Sequence, residues 1–362
     1  MKILVSVFNN LGTDQRVEKV CQTLSENGYE IELLGNNWAG LPPLERNYPF
    51  SRIILKSKIL RFAYVEFQRK LYQELLKKAD HNTILLSNDL DTLLPNYLIS
   101  KKLNIPLVYD SHEIFTEMPA INGRFTQKIW RRLEQWIVPK LKYMMTASES
   151  YADWFHETYH IERPVAVQNF PRKTVNPQDY TESNSKKIIL YQGVINPSRG
   201  LDKMIPAMKF IENAEFWIAG DGPRKEEYFR LTESLGLAHK IKFLGKLPPE
   251  KLRTITPKAD VGLSIEENNG LSYFYSMPNK ISDYIQCRVP VVVSDFPEMR
   301  KVVDVFECGE KIADYSELAD KVNKVLQNGK LFYKDSLNNA ATCLCWEKEE
   351  PKILALFHKI PS

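Results

Sequence analysis

The segment with the most specific chemistry has the sequence Pro-Asn-Lys-Ile-Ser-Asp-Tyr and occupies residues 278–284. Pro278 suits the first turn of a helix, and the apolar residues after it share one helical face. Free N–H groups at the start of such a helix, together with the ammonium group of Lys280, would bind a phosphate. Asp283 follows one turn later, and its carboxylate can accept hydrogen bonds from two sugar hydroxyls. The segment predicts a sugar-nucleotide site; the alternative is a solvated helix without a function.

A second cation lies at a comparable turn. Arg199 falls between Gly193, which follows a predicted strand, and a helix that begins after Gly200. Breaking the bond between an anomeric carbon and a phosphate leaves negative charge on a nucleoside diphosphate, and preorganised cations stabilise that charge. Because Arg199 and Lys280 occupy corresponding strand-to-helix turns, we expect both to contact the phosphates. The alternative for Arg199 is a solvated loop charge.

Two turns in the N-terminal half also follow predicted strands. Residues 110–113 have the sequence Asp-Ser-His-Glu, which places His112 at the functional edge of its sheet. With an ordinary pKa near 6.5, its imidazole could donate or accept a hydrogen bond to a sugar hydroxyl, although an isolated histidine is more often structural. The loop 8–13 contains one glycine, Gly12, and either brings backbone N–H groups near a diphosphate or is an ordinary turn.

The elements that must position these residues alternate between strand and helix in two sets, which indicates parallel sheets covered by helices. In the helix after the first strand, Asp14 is the expected cap and Gly28 the expected stop. The predicted strands of the first half are Ile3–Val7, Glu30–Leu34, Thr83–Leu86, Leu107–Tyr109 and Tyr143–Ala147. Those of the second half are Ile188–Tyr191, Glu215–Ala219, Ile241–Leu244, Val261–Ser264 and Val289–Val293.

A chain of 362 residues exceeds what one hydrophobic core usually fills, so we expect two domains. We predict a first domain over 1–171, a polar linker over 172–187, a second domain over 188–345 and a closing segment over 346–362. Doubly wound domains bind ligands at the carboxyl ends of their strands, so two of them facing each other predict a cleft that holds the candidate residues.

The segment at 278–292 resembles the donor-binding segment of retaining glycosyltransferases of family 4. Many members have a Pro-Asn-Lys turn, an acid-aromatic pair and a Pro-Val-Val strand, and this chain has all three in that order. The turns at 110–113 and 220–223 resemble the Asp-x-His-Glu and Gly-Asp-Gly-Pro turns of the family. The resemblance implies an α/β fold of the GT-B type, with two Rossmann-like domains facing a cleft and a C-terminal helix crossing back to the N-terminal domain.

The resemblance also implies roles for individual residues. His112 would lie over the donor sugar, whereas Arg199 and Lys280 would hold the diphosphate and Asp283 the ribose. We predict His112, Arg199 and Lys280 as catalytic residues. The remaining residues predicted to bind the donor are Gly12, Gly193, Gly245, Lys246, Leu247, Pro278 and Asn279, with 245–247 near the nucleotide base.

Three positions depart from the family pattern. Asp283 replaces the usual glutamate, Tyr275 occupies the place of a second glutamate, and Val194 occupies the place of one phosphate-neutralising cation. We expect Lys280 to supply the charge that is missing at Val194. The acidic segment 266–271 suits a loop near the donor sugar or a plain surface loop.

Composition excludes several other classes of protein. The chain is 43% hydrophobic and 26% charged, with 49 basic and 45 acidic residues and a formal net charge of +4. These are globular values, and the chain lacks the clustered basic residues that nucleic-acid binding requires. Five cysteines without a Cys-x-x-Cys pair indicate reduced thiols, so we expect no metal and no cofactor beyond the sugar nucleotide. The N-terminus does not resemble a signal peptide, and we expect a cytoplasmic location.

Two basic amphipathic segments suggest contact with a membrane. Their predicted apolar faces are Leu60, Tyr64, Phe67, Leu71 and Leu75 in the first, and Phe125, Ile129, Leu133 and Trp136 in the second. Such helices either lie on anionic lipid or pack inside a domain with their charges in solvent. Peripheral contact with the inner face of the cell membrane would favour a lipid-linked or cell-envelope acceptor.

These observations predict an enzyme that moves a sugar from a UDP- or GDP-linked donor to an acceptor hydroxyl of a glycan or lipid-linked molecule. The expected process is the synthesis of cell-envelope polysaccharide or glycoconjugates, without a metal. The resemblance to family 4 implies that the anomeric configuration is retained. One alternative is a non-hydrolysing sugar-nucleotide epimerase. Another is a non-catalytic nucleotide-binding protein of the same fold, suggested by Val194 and Tyr275.

Overall fold

The computed structural model describes residues 1–12, 14–174 and 186–361. The chain divides into two compact units. The first unit contains Met1–Asn169 together with Glu349–Ser362, and the second contains Phe170–Lys348. The end of the chain therefore belongs with the N-terminal unit, as the predicted returning helix required. Most of the linker predicted over 172–187 lies outside the described residues.

Within its described residues, the first unit contains a parallel sheet of seven strands in the order β3-β2-β1-β4-β5-β6-β7. The strands are β1 Lys2–Ser6, β2 Glu30–Asn36, β3 Phe50–Ile53, β4 Thr83–Asn88, β5 Leu107–Ser111, β6 Tyr143–Thr146 and β7 Val165–Ala166. The helices are α1 Gln15–Glu26, α2 Leu60–Lys78, α3 Leu90–Leu103, α4 Phe125–Ile137 and α5 Glu149–Tyr159.

The described part of the second unit contains a parallel sheet of six strands in the order β10-β9-β8-β11-β12-β13. The strands are β8 Lys187–Gln192, β9 Ala214–Ala219, β10 Ile241–Gly245, β11 Val261–Ser264, β12 Val291–Ser294 and β13 Gly309–Ile312. The helices are α6 Leu201–Ala207, α7 Lys225–Ser234, α8 Pro249–Ile255, α9 Leu271–Phe274, α10 Asn279–Gln286, α11 Pro297–Phe306, α12 Leu318–Phe332 and α13 Lys334–Cys343. The last helix, α14 Trp346–His358, begins in the second unit and belongs to the first unit from Glu349 onward.

All ten predicted strands are confirmed, and three further strands were missed. The missed strands β3, β7 and β13 lie at the edges of the two sheets. Edge strands are short and need not be apolar, so they lack the hydrophobic run that marks a strand buried on both faces. Sequence reasoning therefore identified the centre of each sheet and missed most of its margins.

Local signals set the helices that hold the candidate residues. The carboxylate of Asp14 accepts a hydrogen bond of 3.0 Å from the backbone N–H of Val17, as the predicted cap of α1 required. Pro278 is the capping residue just before α10 rather than its first residue, and α10 begins at Asn279. Lys280 therefore lies in the first turn of α10, where the positive end of the helix dipole is located.

The buried side chain of Tyr284 fixes α10 against the sheet. Its ring packs on Gly262, where a Cβ atom would overlap the ring. Its hydroxyl donates to the carbonyl of Leu190 at 3.1 Å and accepts from the N–H of Gln192 at 3.0 Å. The helix that presents Lys280 is thus held to β8 by hydrogen bonds to the strand backbone.

Candidate active site

Glu266, two residues beyond β11, is the centre of a polar cluster in the second unit. Its side chain is 1% exposed, and its two oxygens accept from Lys280 Nζ at 2.8 Å and from Arg199 Nη1 at 2.7 Å. Its backbone carbonyl accepts hydrogen bonds from the hydroxyls of Ser294 and Tyr315. The two cations predicted to hold a diphosphate are therefore brought together by one buried carboxylate.

The backbone is shaped to allow this contact. Gly200 has a φ of +69°, and a Cβ atom there would overlap the carbonyl oxygen of Ile265. Only glycine fits a position that combines a left-handed backbone with such a close approach. The turn that bears Arg199 can therefore lie against the segment that bears Glu266.

Aromatic rings complete the surroundings of the two cations. Lys280 Nζ lies 4.5 Å from the ring centroid of Tyr191, and the guanidinium carbon of Arg199 lies 4.6 Å from that of Tyr273. These distances are within the range of cation–π interactions, which hold a cation without neutralising it. The hydroxyl of Tyr191 also donates to the carbonyl of Val194 at 2.8 Å, so the turn beside Lys280 is fixed.

Burial and charge act against each other in this cluster. Burial alone would raise the pKa of Glu266, but Lys280 and Arg199 outweigh it and hold that pKa below its usual range. Burial lowers the pKa of Lys280, and the neighbouring carboxylate offsets only part of that effect. With Arg199 also charged, the cluster has two cations for one anion, so it retains a net positive charge at the start of α10.

Asp283 is half-buried one turn after Lys280. Its carboxylate accepts a hydrogen bond of 3.2 Å from the amide of Gln192, and the same amide group accepts one of 2.8 Å from the hydroxyl of Thr256. This chain of hydrogen bonds ties the helix to the end of β8. Asp283 therefore lies at the same sheet edge as Gly193, as predicted for two residues of one donor site.

The other predicted residues that follow strands of the second unit also lie at the carboxyl ends of those strands. Gly193 follows β8, and a Cβ atom there would lie 3.6 Å from Lys280 Cε, so the missing side chain leaves Lys280 uncovered on that side. Gly245 ends the edge strand β10 with a φ of +70°, Lys246 is exposed and Leu247 packs on the core. The structure thus brings Lys280, Arg199, Asp283 and Gly193 together, and places 245–247 two strands away.

In the first unit, His112 lies in a network of charged groups at the ends of β4 and β5. Its Nδ1 is 3.3 Å from the carboxylate of Asp89, and its Nε2 is 3.1 Å from the amide oxygen of Asn88 and 3.4 Å from the carboxylate of Asp110. Asp110 is fully buried and also accepts from the guanidinium of Arg16 at 2.6 Å. Positive and negative groups therefore alternate along the network.

The network corrects the expectation that His112 has an ordinary pKa. Burial opposes a charge on the ring, but Asp89 and Asp110 outweigh it and raise the pKa of His112 to about 9. Burial likewise opposes the charge of Asp110, and Arg16 and His112 lower the pKa of that carboxylate to about 2. At neutral pH His112 is therefore a fixed cation, not a group that exchanges between two forms.

Gly12 lies in the loop after β1, at the carboxyl edge of the first sheet. The backbone N–H groups of Leu11 and Gly12 donate to the side-chain oxygens of Asn9 and Asn10 at 2.8 and 3.1 Å. A Cβ atom at Gly12 would lie 2.6 Å from Pro42 Cγ, so close packing explains the glycine. A role of Gly12 in holding a diphosphate stays a prediction, and Thr13 of the same loop lies outside the described residues.

Sequence reasoning missed three residues of these clusters. Glu266 was assigned to an acidic loop, but its side chain is buried, which excludes the plain surface loop at that position. The available sign of its burial was its position two residues after the apolar strand β11. Arg16 and Asp89 had no signal of their own. Arg16, on α1, reaches Asp110 only in the folded chain, and Asp89 meets His112 because β4 pairs with β5.

Comparison with known proteins identifies the family. Residues 12–169 match the family described as Glycosyltransferase Family 4, and residues 172–341 match the family described as Glycosyl transferases group 1. The two matches follow each other with only residues 170 and 171 between them. The chain belongs to the glycosyltransferases of the family 4 type, and its two parallel-sheet units have the GT-B fold.

Curated relatives and solved structures agree with this family. The chain is 21% identical to a chitobiosyldiphosphodolichol beta-mannosyltransferase of Candida glabrata, over 92% of this chain and 85% of the relative. It is 33% identical to the GPI3 subunit of a phosphatidylinositol N-acetylglucosaminyltransferase of Saccharomyces cerevisiae, over 28% and 24% of the two chains. Its fold resembles sucrose-phosphate synthase of Thermosynechococcus elongatus, with a TM-score of 0.79, 14% identity and coverage of 99% and 98%.

The raised pKa of His112 predicts a pH-dependent stability. The protonated ring stabilises the folded chain, so its contribution of about 3 kcal/mol is complete below about pH 6.5 and is lost as the pH rises through about 9. We expect His112→Gln to reduce the loss of stability between pH 7 and 10, measured by urea unfolding. The same change at the exposed His239 is the control, and an equal effect of both variants would contradict the prediction.

The countercharge at Glu266 predicts a second outcome. Glu266→Gln leaves Lys280 and Arg199 without their carboxylate, and breaking such a buried pair costs about 3–5 kcal/mol. We expect a lower unfolding temperature, with a nucleoside diphosphate restoring more stability to the variant than to the wild type. Glu267→Gln is the matched control, since it removes the same charge from the neighbouring residue. A Glu266→Gln variant as stable as the wild type would show that the carboxylate is not needed.

Proposed function

We propose that this glycosyltransferase takes its sugar from a UDP- or GDP-linked donor and transfers it to an acceptor hydroxyl with retention of anomeric configuration. The observation that carries the proposal is the Glu266 cluster, in which Arg199 and Lys280 meet at the start of α10 with a net positive charge. A diphosphate is the ligand that suits two cations beside a helix N-terminus. We also propose that no metal is required, because these groups supply the positive charge.

The proposed role of the two cations is to stabilise the leaving group. Phosphate oxygens would compete with Glu266 for Arg199 and Lys280, and the negative charge on them grows as the bond to the anomeric carbon breaks. Interactions that strengthen in the transition state raise the rate and not only the affinity. Because the cations are already held by the cluster, little reorganisation is needed when the charge develops.

Other residues have proposed roles in binding the donor. Asp283 would accept hydrogen bonds from the ribose hydroxyls, and its bond to Gln192 already orients it. His112 would present its positive charge to the donor sugar, in agreement with its raised pKa. Backbone groups of residues 245–247 would contact the base. The pairings of His112 inside its own unit leave its ring orientation fixed before the donor arrives.

Names of related proteins support a sugar nucleotide and a lipid-linked acceptor. A structural neighbour, Anabaena HepE, was solved with UDP and glucose, and it resembles this chain with a TM-score of 0.73 at 14% identity. The curated relatives bear the names of lipid-linked substrates, chitobiosyldiphosphodolichol and phosphatidylinositol. A cytoplasmic role in the synthesis of cell-envelope polysaccharide or glycoconjugates fits these names, and it is part of the proposal.

The donor class can be tested by thermal unfolding of the purified protein with UDP, GDP and ADP, in EDTA and then in magnesium. A ligand at about 100 times its dissociation constant adds about 2.7 kcal/mol, which is a measurable shift. We expect one of UDP and GDP to stabilise the protein in EDTA. A shift that requires magnesium would contradict metal independence, and no shift from any nucleotide would contradict the proposed donor.

Two variants separate the proposed roles of the cation and the acid. Lys280→Ala should reduce the transfer rate more than nucleotide binding, whereas Asp283→Ala should mainly weaken donor affinity. The measurements are kcat and KM for transfer together with a titration of the nucleoside diphosphate. Lys301→Ala, at an exposed position in α11, is the control. Wild-type behaviour of both site variants would refute these assignments, and turnover without acceptor would indicate the epimerase.

A further inference from the structure

The outward face of α4 is apolar. Phe125, Ile129 and Trp136 are 76%, 53% and 46% exposed. Their spacings of four and seven residues place them on one stripe of the helix. The buried residues of α4 include Gln127, Glu134 and Ile137 instead. The predicted apolar face of this helix is thus mostly turned to solvent, and the alternative of a packed helix fails here.

The first basic segment, which forms α2, behaves differently. Phe67, Leu71 and Leu75 of its predicted apolar face are fully buried in the core of the first unit. That face therefore packs inside the domain, which was the alternative to contact with lipid. The contrast shows that exposure of the α4 stripe is a property of that helix and not of every basic helix in the unit.

Cations flank the α4 stripe, and acids are absent from its exposed surface. Within the described residues, Arg124, Lys128 and Arg132 form no ion pair, whereas Arg131 of the same helix pairs with Glu117 at 2.6 Å. Lys140 lies 4.9 Å from the ring centroid of Trp136. The acid of α4, Glu134, is fully buried and accepts from the hydroxyls of Thr116 and Tyr159. The exposed face of α4 is thus apolar at its centre and positive at its margins.

A second exposed patch lies at the start of α2, which contacts α4 through aromatic rings. The ring centroids of Tyr64 and Trp130 are 5.8 Å apart. On the outward side of α2, Phe62 and Val65 are 53% and 69% exposed, and Arg61 lies over the ring of Phe62. Exposed apolar side chains beside cations therefore recur on a neighbouring helix.

We propose that the exposed face of α4 docks the first unit on an anionic lipid surface. Lipid is favoured over a protein partner by the combination of Trp136 and Phe125, which suit the boundary between headgroups and acyl chains, with unpaired cations that suit anionic headgroups. None of the described helices is both long and apolar enough to cross a membrane. This inference does not depend on the identity of the sugar donor.

Flotation with lipid vesicles tests the proposal on the whole 362-residue chain. We expect binding to phosphatidylcholine vesicles that contain about 30% phosphatidylglycerol, and about tenfold weaker binding to phosphatidylcholine alone or in about 0.5 M salt. The double variant Lys128→Glu/Arg132→Glu should lower the partition coefficient about tenfold or more. Phe125→Ser should lower it about tenfold, because a buried aromatic side chain is lost from the interface.

Matched variants in the second unit separate this face from general attraction of a basic protein. Phe210 is 72% exposed, so Phe210→Ser changes a similar side chain, and Lys209→Glu/Lys301→Glu makes the same change in net charge. These controls should bind vesicles like the wild type. The proposal fails if the wild type does not bind anionic vesicles at low salt, or if controls and α4 variants lose binding equally. Loss of self-association in Phe125→Ser, without vesicle binding by the wild type, would assign the face to a second copy of the chain.

Discussion

The second unit depends on one buried carboxylate. Glu266 brings together Arg199, in the turn after β8, and Lys280, in the first turn of α10. A charge in the interior is costly unless it is paired, so the close approach of these turns is required by electrostatics as much as by packing. The glycine at position 200 and the anchoring of α10 by Tyr284 are the structural conditions under which the pairing can form.

The first unit repeats this arrangement with other residues. Arg16, Asp110, His112 and Asp89 alternate in charge at the carboxyl ends of parallel strands. In both units, carboxylates at the carboxyl ends of parallel strands hold a neighbouring cation in a fixed orientation. Such preorganised cations suit a reaction in which negative charge develops on a leaving phosphate, because the protein need not reorganise during the step.

The residues proposed to bind the donor and the face proposed to dock on lipid lie in separate parts of the chain. The charged clusters lie at the carboxyl ends of strands, where doubly wound folds bind ligands. The α4 face lies on a helix whose acid is turned inward and whose Lys128 and Arg132 form no ion pair among the described residues. The proposed docking face and the proposed donor site share no residues, so a substitution in one need not disturb the other.

The sequence by itself determined the central strands, the capped start of α1, the helix that bears Lys280 and Asp283, and the positions of Arg199 and His112 after strands. Those features follow from hydrophobic runs and capping residues that are local in the chain. Only the tertiary structure decided that Glu266 is buried between two cations, that Asp89 and Asp110 raise the pKa of His112, and that α4 rather than α2 exposes its apolar face. These properties depend on distances between segments far apart in sequence, which periodicity cannot specify.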